Sequence, residues 1–290
     1  MTPLSRNIPW YGNPNGTLGL VMSGGGVRAA YQAGVLKALA EDKNFPSARL
    51  GVVCGSSIGA VNSVLLAGCS GKSFKVAVES LVEIWRERSY SNTFSGSMSL
   101  SFMKSMAVAI RQTMYPGPHP TDMAIFNPSL LAKRIDRAVA HYADAPGIRP
   151  ICGVMTTIES KSKRKGLLLT DAPEKISAEL TENAPYGISY LPRLSARHAF
   201  ASAALPWVLP PVEVAVDDDT VKLVDGGIID NIPVDPAVRL GANHVLVLDV
   251  TGRKWWHDYY NKPLDTPENW AVPNDDHKFC LMPSSLQELS

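Results

Sequence analysis

Short apolar runs alternate with amphipathic stretches along most of this chain. Runs such as 50–54 and 245–248 are apolar throughout, which is typical of strands buried on both faces of a sheet. Between such runs, apolar residues recur every three or four positions, which is typical of helices that cover a sheet. The alternation predicts an α/β fold with strands at 17–22, 50–54, 151–158, 166–170, 221–224 and 245–248. Helices are predicted at 27–40, 60–67, 74–85 and 195–204, from a start at 127–128, and over a short stretch that ends at 240.

The segment Gly55-Ser56-Ser57-Ile58-Gly59 connects a predicted strand to a predicted helix and fits the pattern G-x-S-x-G. In that context the central residue occupies a strained turn, and the two glycines remove side chains that would clash there. The turn would hold Ser57 at the carboxyl edge of a sheet and at a helix N-terminus, which favours developing negative charge. Ser57 is therefore a candidate nucleophile, although the same glycines also fit a turn that only packs tightly.

A second glycine-rich junction follows the first predicted strand. Gly24, Gly25 and Gly26 would expose several backbone N–H groups to one point before the next helix, which makes an anion site. The spacing Gly24-x-Gly26-x-x-Ala29 also fits the dinucleotide-binding fingerprint, with alanine in the last place. That fold requires an acid at the end of the second strand, where this chain has Cys54-Gly55. An oxyanion hole for a neighbouring nucleophile is therefore the favoured use of the loop.

Arg28 lies in the first turn of the helix predicted over 27–40. A cation there faces the unfavourable end of the helix dipole, so we expect an anionic partner, either a protein carboxylate or a ligand phosphate. Apolar residues of this helix recur at a spacing of four, which predicts that its buried face consists of Val27, Tyr31, Val35 and Leu39.

Asp225-Gly226-Gly227 is the third chemical landmark. The predicted strand 221–224 ends in this aspartate, and the two glycines turn the chain away. Ligands bind open parallel sheets at the carboxyl ends of their strands, so Asp225 is a candidate functional carboxylate. An aspartate that only caps a turn fits the same sequence.

Composition and charge narrow the function classes. The 290 residues carry a formal net charge of +1, which gives no bulk electrostatic case for nucleic acid. The four cysteines have no C-x-x-C spacing, which argues against a zinc site or a disulfide framework and favours a reducing compartment. Residues 1–16 lack the apolar core of a signal peptide, and no apolar run reaches the ~18 residues of a membrane span. We therefore expect a cytoplasmic or peripheral membrane protein.

Two segments lie outside these motifs. Residues 89–117 include four of the nine methionines and few charges, and we interpret 89–125 as a lid or interfacial segment, with a buried helix as the alternative. Residues 253–290 are aromatic and polar, and we predict that they are irregular. The basic turn 161–165 is most simply a solvated hairpin tip. Without repeats or a linker, we predict one domain over 1–290, with its core at about 17–250.

In this order the motifs resemble those of the patatin-like phospholipase family. The matching blocks are Gly24-Gly25-Gly26-Val27-Arg28, Gly55-Ser56-Ser57-Ile58-Gly59 and Asp225-Gly226-Gly227, and Ala201–Pro206 with Pro210-Pro211 looks like a fourth. Ala29 stands where the family usually has glycine. The resemblance covers roughly 18–250. It implies a three-layer α/β/α sandwich with a mainly parallel central sheet.

The resemblance also implies acyl ester hydrolysis of the phospholipase A or lysophospholipase type. Ser57 would be the nucleophile and Asp225 the base of a dyad without histidine. The loop Gly24–Gly26 would form the oxyanion hole, and Arg28 would support it or meet a lipid phosphate. The motif-supporting glycines would be Gly55, Gly59, Gly226 and Gly227. The implied partner is a lipid or phospholipid at a membrane surface, with no metal, cofactor or nucleic acid. The resemblance does not decide whether the protein has a protein activator.

Alternatives remain at this point. An aspartate with a pKa near ~3.9 is a weak base at neutral pH, so burial or placement must compensate. A Ser-His-Asp triad could use His244 or His257, in the order Ser, Asp, His. An acyltransferase could use the same strand-turn-helix, and a module without enzyme activity could bind a nucleotide at the glycine loop.

Overall fold

In the computed structural model, residues 16–114, 124–159, 165–173, 183–216, 219–251 and 278–282 are described. The strands are β1 Leu18–Met22, β2 Leu50–Ser56, β3 Ile151–Ile158, β4 Lys165–Thr170, β5 Gly187–Tyr190, β6 Val212–Val216, β7 Asp219–Val224, β8 His244–Leu248 and β9 Lys278–Met282. The helices are α1 Ala30–Glu41, α2 Ile58–Cys69, α3 Phe74–Arg86, α4 Tyr90–Thr93, α5 Met98–Met114, α6 Ser129–His141, α7 Ala196–Ser202 and α8 Val234–Arg239. The predicted strands and helices are therefore present, with shifted ends, and β5, β6, β9 and α4 are additional.

All nine strands form one sheet in the order β5-β4-β3-β2-β1-β8-β9, with β7 beside the end of β3 and β6 beside β7. The run from β3 through β2, β1 and β8 to β9 is parallel. The chain segments that follow β1 and β2 therefore emerge at the same edge of the sheet. β7 is antiparallel to β3 and meets it at Thr157 and Ile158. It thus reaches that edge from outside the parallel run, which is why Asp225 arrives beside β2.

Side chains of the central strands alternate between two apolar layers, as the period of a strand requires. Leu20 and Met22 of β1 face the larger cluster, which includes apolar side chains of α1, α2, α3, α6 and α7. Val21 faces the second cluster, which includes Ala237 of α8. Helices thus cover both faces of the sheet. The predicted three-layer α/β/α sandwich with a mainly parallel sheet is confirmed.

The predicted buried face of the first helix is right at Leu39 and wrong at Val27, while Tyr31 and Val35 are half-buried. Val27 is 78% exposed, and the buried side chains of α1 are Gln32, Ala33, Leu36 and Leu39. The reason is local geometry: the helix begins as a 3-10 turn over Gly26–Ala29, and only Ala30 onward is α-helical. A 3-10 turn has about three residues per turn, so a spacing of four counted from Val27 leaves the buried side.

The predictions for two sequence segments are tested only in part. Strands β3 and β4 are antiparallel neighbours, as a hairpin requires, while residues 161–164 of the predicted basic tip lie outside the described residues. The segment 253–290 is not irregular throughout, because β9 pairs in parallel with β8. The single-domain boundary stays a prediction. No helix in the described part of the chain has both the length and the apolar character needed to cross a bilayer.

Candidate active site

Ser57 occupies a strained turn between β2 and α2. Its backbone has φ 52° and ψ −130°, a conformation that a residue with a side chain rarely adopts. A Cβ at Gly59 would collide with the carbonyl oxygens of Met22 and Ser23, and one at Gly55 would collide with the Gly59 carbonyl. Both glycines are therefore required for the turn to pack against the end of β1. The turn leaves Ser57 half-buried, at the head of α2.

The structure brings the Ser57 and Asp225 side chains together. The Ser57 hydroxyl donates to Oδ2 of Asp225 at 2.7 Å, and Oδ1 of the same carboxylate accepts from the Gly227 N–H at 2.8 Å. The backbone of Asp225 is also fixed, because its N–H donates to the Ala204 carbonyl at 3.0 Å and its carbonyl accepts from Thr157 Oγ1 at 2.8 Å. The carboxylate therefore has one defined position, with an oxygen aimed at the hydroxyl.

Burial sets the acidity of Asp225. The side chain is 4% exposed, and removal from water raises its pKa from the ordinary value of 3.8. The hydrogen bonds from Ser57 and Gly227 favour the charged form and lower the pKa, but burial is the larger effect. Asp225 is therefore a stronger base than an aspartate in water.

The glycine loop passes directly against the nucleophile. A Cβ at Gly24 would lie 2.7 Å from Cβ of Ser57, so only glycine fits at this point. The Gly24 N–H donates to the Asn231 carbonyl at 3.2 Å. The N–H groups of Gly25 and Gly26 donate to no group in the described part of the chain. Those two amides are the candidate oxyanion donors.

Arg28 has backbone partners, whereas the sequence predicted an anionic one, either a protein carboxylate or a ligand phosphate. Its Nε donates to the Gly25 carbonyl at 3.3 Å, and Nη1 donates to the Thr251 carbonyl at 3.5 Å. No carboxylate of the described residues pairs with it. These bonds tie the glycine loop to the chain after β8, so Arg28 supports the loop.

Two residues at the site were not identified from the sequence. Ser202 accepts a hydrogen bond from the Ser57 N–H at 2.8 Å and donates to the Met155 carbonyl at 2.5 Å. Asn231 donates from Nδ2 to the Gly24 carbonyl at 3.3 Å, in addition to accepting from the Gly24 N–H. The sequence signals for these two residues were the Ala-Ser-Ala-Ala block and an asparagine shortly after Asp225. Neither signal indicates which group the residue hydrogen-bonds.

A buried polar network supports the site from behind. Gln32 donates from Nε2 to the carbonyls of Ser23 and Leu248, at 2.9 and 3.0 Å, and joins the ends of β1 and β8. Its Oε1 accepts from Asn62 Nδ2 at 2.8 Å, and Asn62 Oδ1 accepts from Trp85 Nε1 at 2.9 Å. The network ties the glycine loop to α2, the helix that carries Ser57, which explains why a polar residue lies on the buried side of α1.

No histidine of the described residues contacts the Ser57–Asp225 pair. His244 lies at the amino end of β8, against Gly16, whereas the site lies at the carboxyl end about 13 Å away. His198 binds Ser195 at the start of α7, and burial lowers its pKa. His257 lies outside the described residues. Within the described chain, no cluster of three His, Cys, Asp or Glu side chains could hold a metal ion.

Replacing Asn231 with alanine is expected to lower kcat for ester hydrolysis about 10- to 100-fold with little change in KM. The variant loses the bond that orients the Gly24 peptide, and a misplaced oxyanion donor costs up to ~10²–10³ in rate. The matched control is Asn243→Ala, which loses an asparagine bond to the Thr17 N–H at the opposite edge of the sheet. Stopped assays and melting curves of both variants measure this; equal losses of activity would contradict a positioning role.

Comparisons with known proteins found a matching family model and several similar proteins. The family model described as patatin-like phospholipase matches residues 20–238. The uncharacterized protein YqhO of Bacillus subtilis (strain 168) is 26% identical over 216 residues, which is 74% of this chain and 64% of YqhO. Patatin-like phospholipase domain-containing protein 7 of Mus musculus is 28% identical over 81% of this chain and 14% of its own length. Lysophospholipase nte1 of Aspergillus terreus (strain NIH 2624 / FGSC A1156) is 26% identical over 81% and 12%. The chain thus spans less than two thirds of these relatives.

Proposed function

This chain belongs to the patatin-like phospholipase family, and on that premise we propose that it hydrolyses carboxylic ester bonds of lipids with Ser57 as nucleophile and Asp225 as base. The observation that carries the proposal is the 2.7 Å hydrogen bond from the Ser57 hydroxyl to the buried Asp225 carboxylate. It joins a nucleophile held on a strained turn to a base of raised pKa.

In the proposed reaction, Oγ of Ser57 attacks the acyl carbonyl carbon while Asp225 takes the hydroxyl proton. The carbonyl oxygen becomes an oxyanion, and the N–H groups of Gly25 and Gly26 stabilise it. The intermediate collapses to an acyl-serine, and the alcohol leaves with the proton held by Asp225. Water then attacks the acyl-serine, Asp225 takes its proton, and the fatty acid departs as the serine hydroxyl is restored.

The pair needs no histidine on physical grounds. Histidine in a triad supplies a base of moderate pKa that is already oriented. Here burial moves the aspartate pKa toward that range, and five hydrogen bonds to its side chain and backbone orient it. The three described histidines lie elsewhere, at 141, 198 and 244.

For the substrate, we propose phospholipids or lysophospholipids. One relative is named a lysophospholipase and another a phospholipase domain protein, and both align over 81% of this chain. An exposed Val27 on the glycine loop and a half-exposed Leu205 near Asp225 provide apolar contacts suited to an acyl chain.

The test combines labelling with product analysis. A methyl alkyl fluorophosphonate should phosphonylate Ser57, identified by mass spectrometry of the peptide that contains residues 50–72. Mixed phosphatidylcholine and lysophosphatidylcholine should release free fatty acid, and adding an alcohol acceptor separates hydrolysis from acyl transfer. Labelling at another serine, or no fatty acid from any lipid or p-nitrophenyl ester, would contradict the proposal.

The rate of hydrolysis is expected to fall at acidic pH. This fall should occur at a higher pH than the ionisation of an ordinary aspartate would cause. The reaction needs ionised Asp225, and burial raises its pKa, so kcat/KM declines as pH falls through that raised value. Asp230 lies nearby with a pKa raised to about 6 by burial, so the profile should be measured in Asp230→Asn as well. The acidic limb should persist in that variant; its disappearance would assign the limb to Asp230.

A further inference from the structure

Two serines of helix α5 face the protein. Ser101 is buried and its Oγ lies 2.6 Å from the hydroxyl of Tyr90, which also donates to the Ser97 carbonyl at 3.1 Å. Ser105, one turn later, is half-buried and donates to the Ser101 carbonyl at 2.9 Å. The side of the helix that carries these two serines is thus its inner side.

Three apolar residues of the same helix lie on its exposed side. Leu100, Met103 and Met106 follow one another at a spacing of three and are 48%, 66% and 51% exposed. We name these three residues the methionine face. A surface helix ordinarily buries such residues, so an exposed face of this kind is a candidate contact surface.

The methionine face is tied to the segment beside Asp225. The Ser95 N–H, just before α5, donates to the Asn127 carbonyl at 2.8 Å, and the Ile125 N–H donates to the Trp207 carbonyl at 2.8 Å. Leu205, between Trp207 and the Ala204 that binds the Asp225 N–H, is 49% exposed. Backbone hydrogen bonds therefore connect the base of α5 to the rim of the proposed active site.

The charge of helix α5 favours an anionic partner for the methionine face. Residues 98–114 include Lys104 and Arg111 and no acidic residue, and Lys104 is exposed beside Met103. A flexible apolar face with an exposed lysine beside it suits an anionic bilayer, where the methionines enter the acyl region and the lysine meets headgroups. A second copy of the chain fits less well, because a two-fold contact would bring identical cationic helices together.

We propose that α5 is an interfacial helix that inserts the methionine face into an anionic lipid surface and thereby presents the active-site rim to lipid. The inference rests on the proposed lipid hydrolysis. The property it predicts, however, is binding of the protein to a lipid surface, which is measured without turnover. The seventeen-residue helix would lie in the interface plane and would not cross the bilayer.

The test measures sedimentation of the Ser57→Ala protein with vesicles of phosphatidylcholine containing 30% phosphatidylglycerol. Adding Met103→Ser and Met106→Ser should weaken binding about 10- to 100-fold, because two apolar side chains no longer enter the bilayer. Ile148→Ser is the matched control: its side chain is 97% exposed on another part of the surface, and binding should change less than twofold. Equal losses in both, or no binding of the parent protein, would overturn the proposal.

Two further measurements separate this inference from the proposed function and from self-association. Lys104→Gln should weaken binding about fivefold to anionic vesicles, while Lys43→Gln, at an exposed site after α1, should have no effect. With Ser57 intact, the double methionine variant should hydrolyse soluble p-nitrophenyl butyrate at the parent rate, so loss of that activity would instead implicate the active site. A dimer in sedimentation velocity that the methionine substitutions abolish would overturn the lipid assignment.

Discussion

Ser57→Ala is expected to lower kcat for p-nitrophenyl butyrate by about 10⁴-fold or more, with a melting temperature close to that of the parent protein. The variant lacks the oxygen that forms the acyl-serine, so only binding and the oxyanion donors remain to assist water. Alanine keeps the backbone conformation at φ 52° as strained as serine does, and Ser57 is half-buried, so little stability is lost.

The neighbouring serine provides the matched control. Ser56 is fully buried, and its Oγ has no hydrogen-bond partner in the described part of the chain. Ser56→Ala therefore removes the same atom one residue earlier, with an activity loss of less than a few fold and equal or higher stability. Initial rates, fluorophosphonate labelling and melting curves compare the two variants. Retained hydrolysis in Ser57→Ala, or equal losses in both, would remove Ser57 as the nucleophile.

The local parts of the site could be predicted from the sequence because their causes are local. The strand-turn-helix around Ser57 needs small residues at Gly55 and Gly59, and those requirements arise within a few residues of the turn. The position of Asp225 at a strand end is similarly readable. The sequence did not show that Asp225 follows a strand antiparallel to β3, since the direction of a strand depends on its pairing with residues far away in the chain.

The contacts that orient the reacting groups could not be predicted. The bond from Ser57 to Ser202 spans 145 residues, and the bond between Asn231 and Gly24 spans 207. A serine or an asparagine in a loop has many possible partners, and only the assembled sheet selects one. The same limit explains why the hydrogen bond from the Gly24 N–H to the Asn231 carbonyl was not predicted.

Helix α5 shows that hydrophobic periodicity does not predict how a helix is oriented on the protein. A hydrophobic pattern separates two sides of a helix, but it does not say which side meets the protein. Tyr90 binds the Ser101 hydroxyl and the Ser97 carbonyl, so the side of the helix that carries Ser101 is held inward and the methionine face points outward. Local hydrogen bonds thus decide the orientation against the ordinary preference for apolar burial.

Asp225→Asn is expected to abolish hydrolysis and to raise stability at neutral pH. The amide has the shape of the carboxylate, so its oxygen can accept from the Gly227 N–H while its nitrogen donates to the Ser57 hydroxyl. An amide cannot take the hydroxyl proton, so kcat should fall about 10³-fold or more. Asp136→Asn is the matched control, because its carboxylate also accepts a backbone N–H, from Ala196, away from the site.

The stability gain follows from the sign of the pKa shift. Burial raises the native pKa of Asp225 above its unfolded value, so the native state favours the protonated form. Its contribution to stability is full below the ordinary pKa of 3.8 and is lost as pH rises through the native pKa. Asparagine avoids that loss, so the melting temperature of the variant relative to the parent should increase with pH and level off above the native pKa. Each kcal/mol gained corresponds to about 2–4 °C. A difference that stays constant with pH would contradict the raised pKa of Asp225, and hydrolysis within tenfold of the parent would contradict its role as the base.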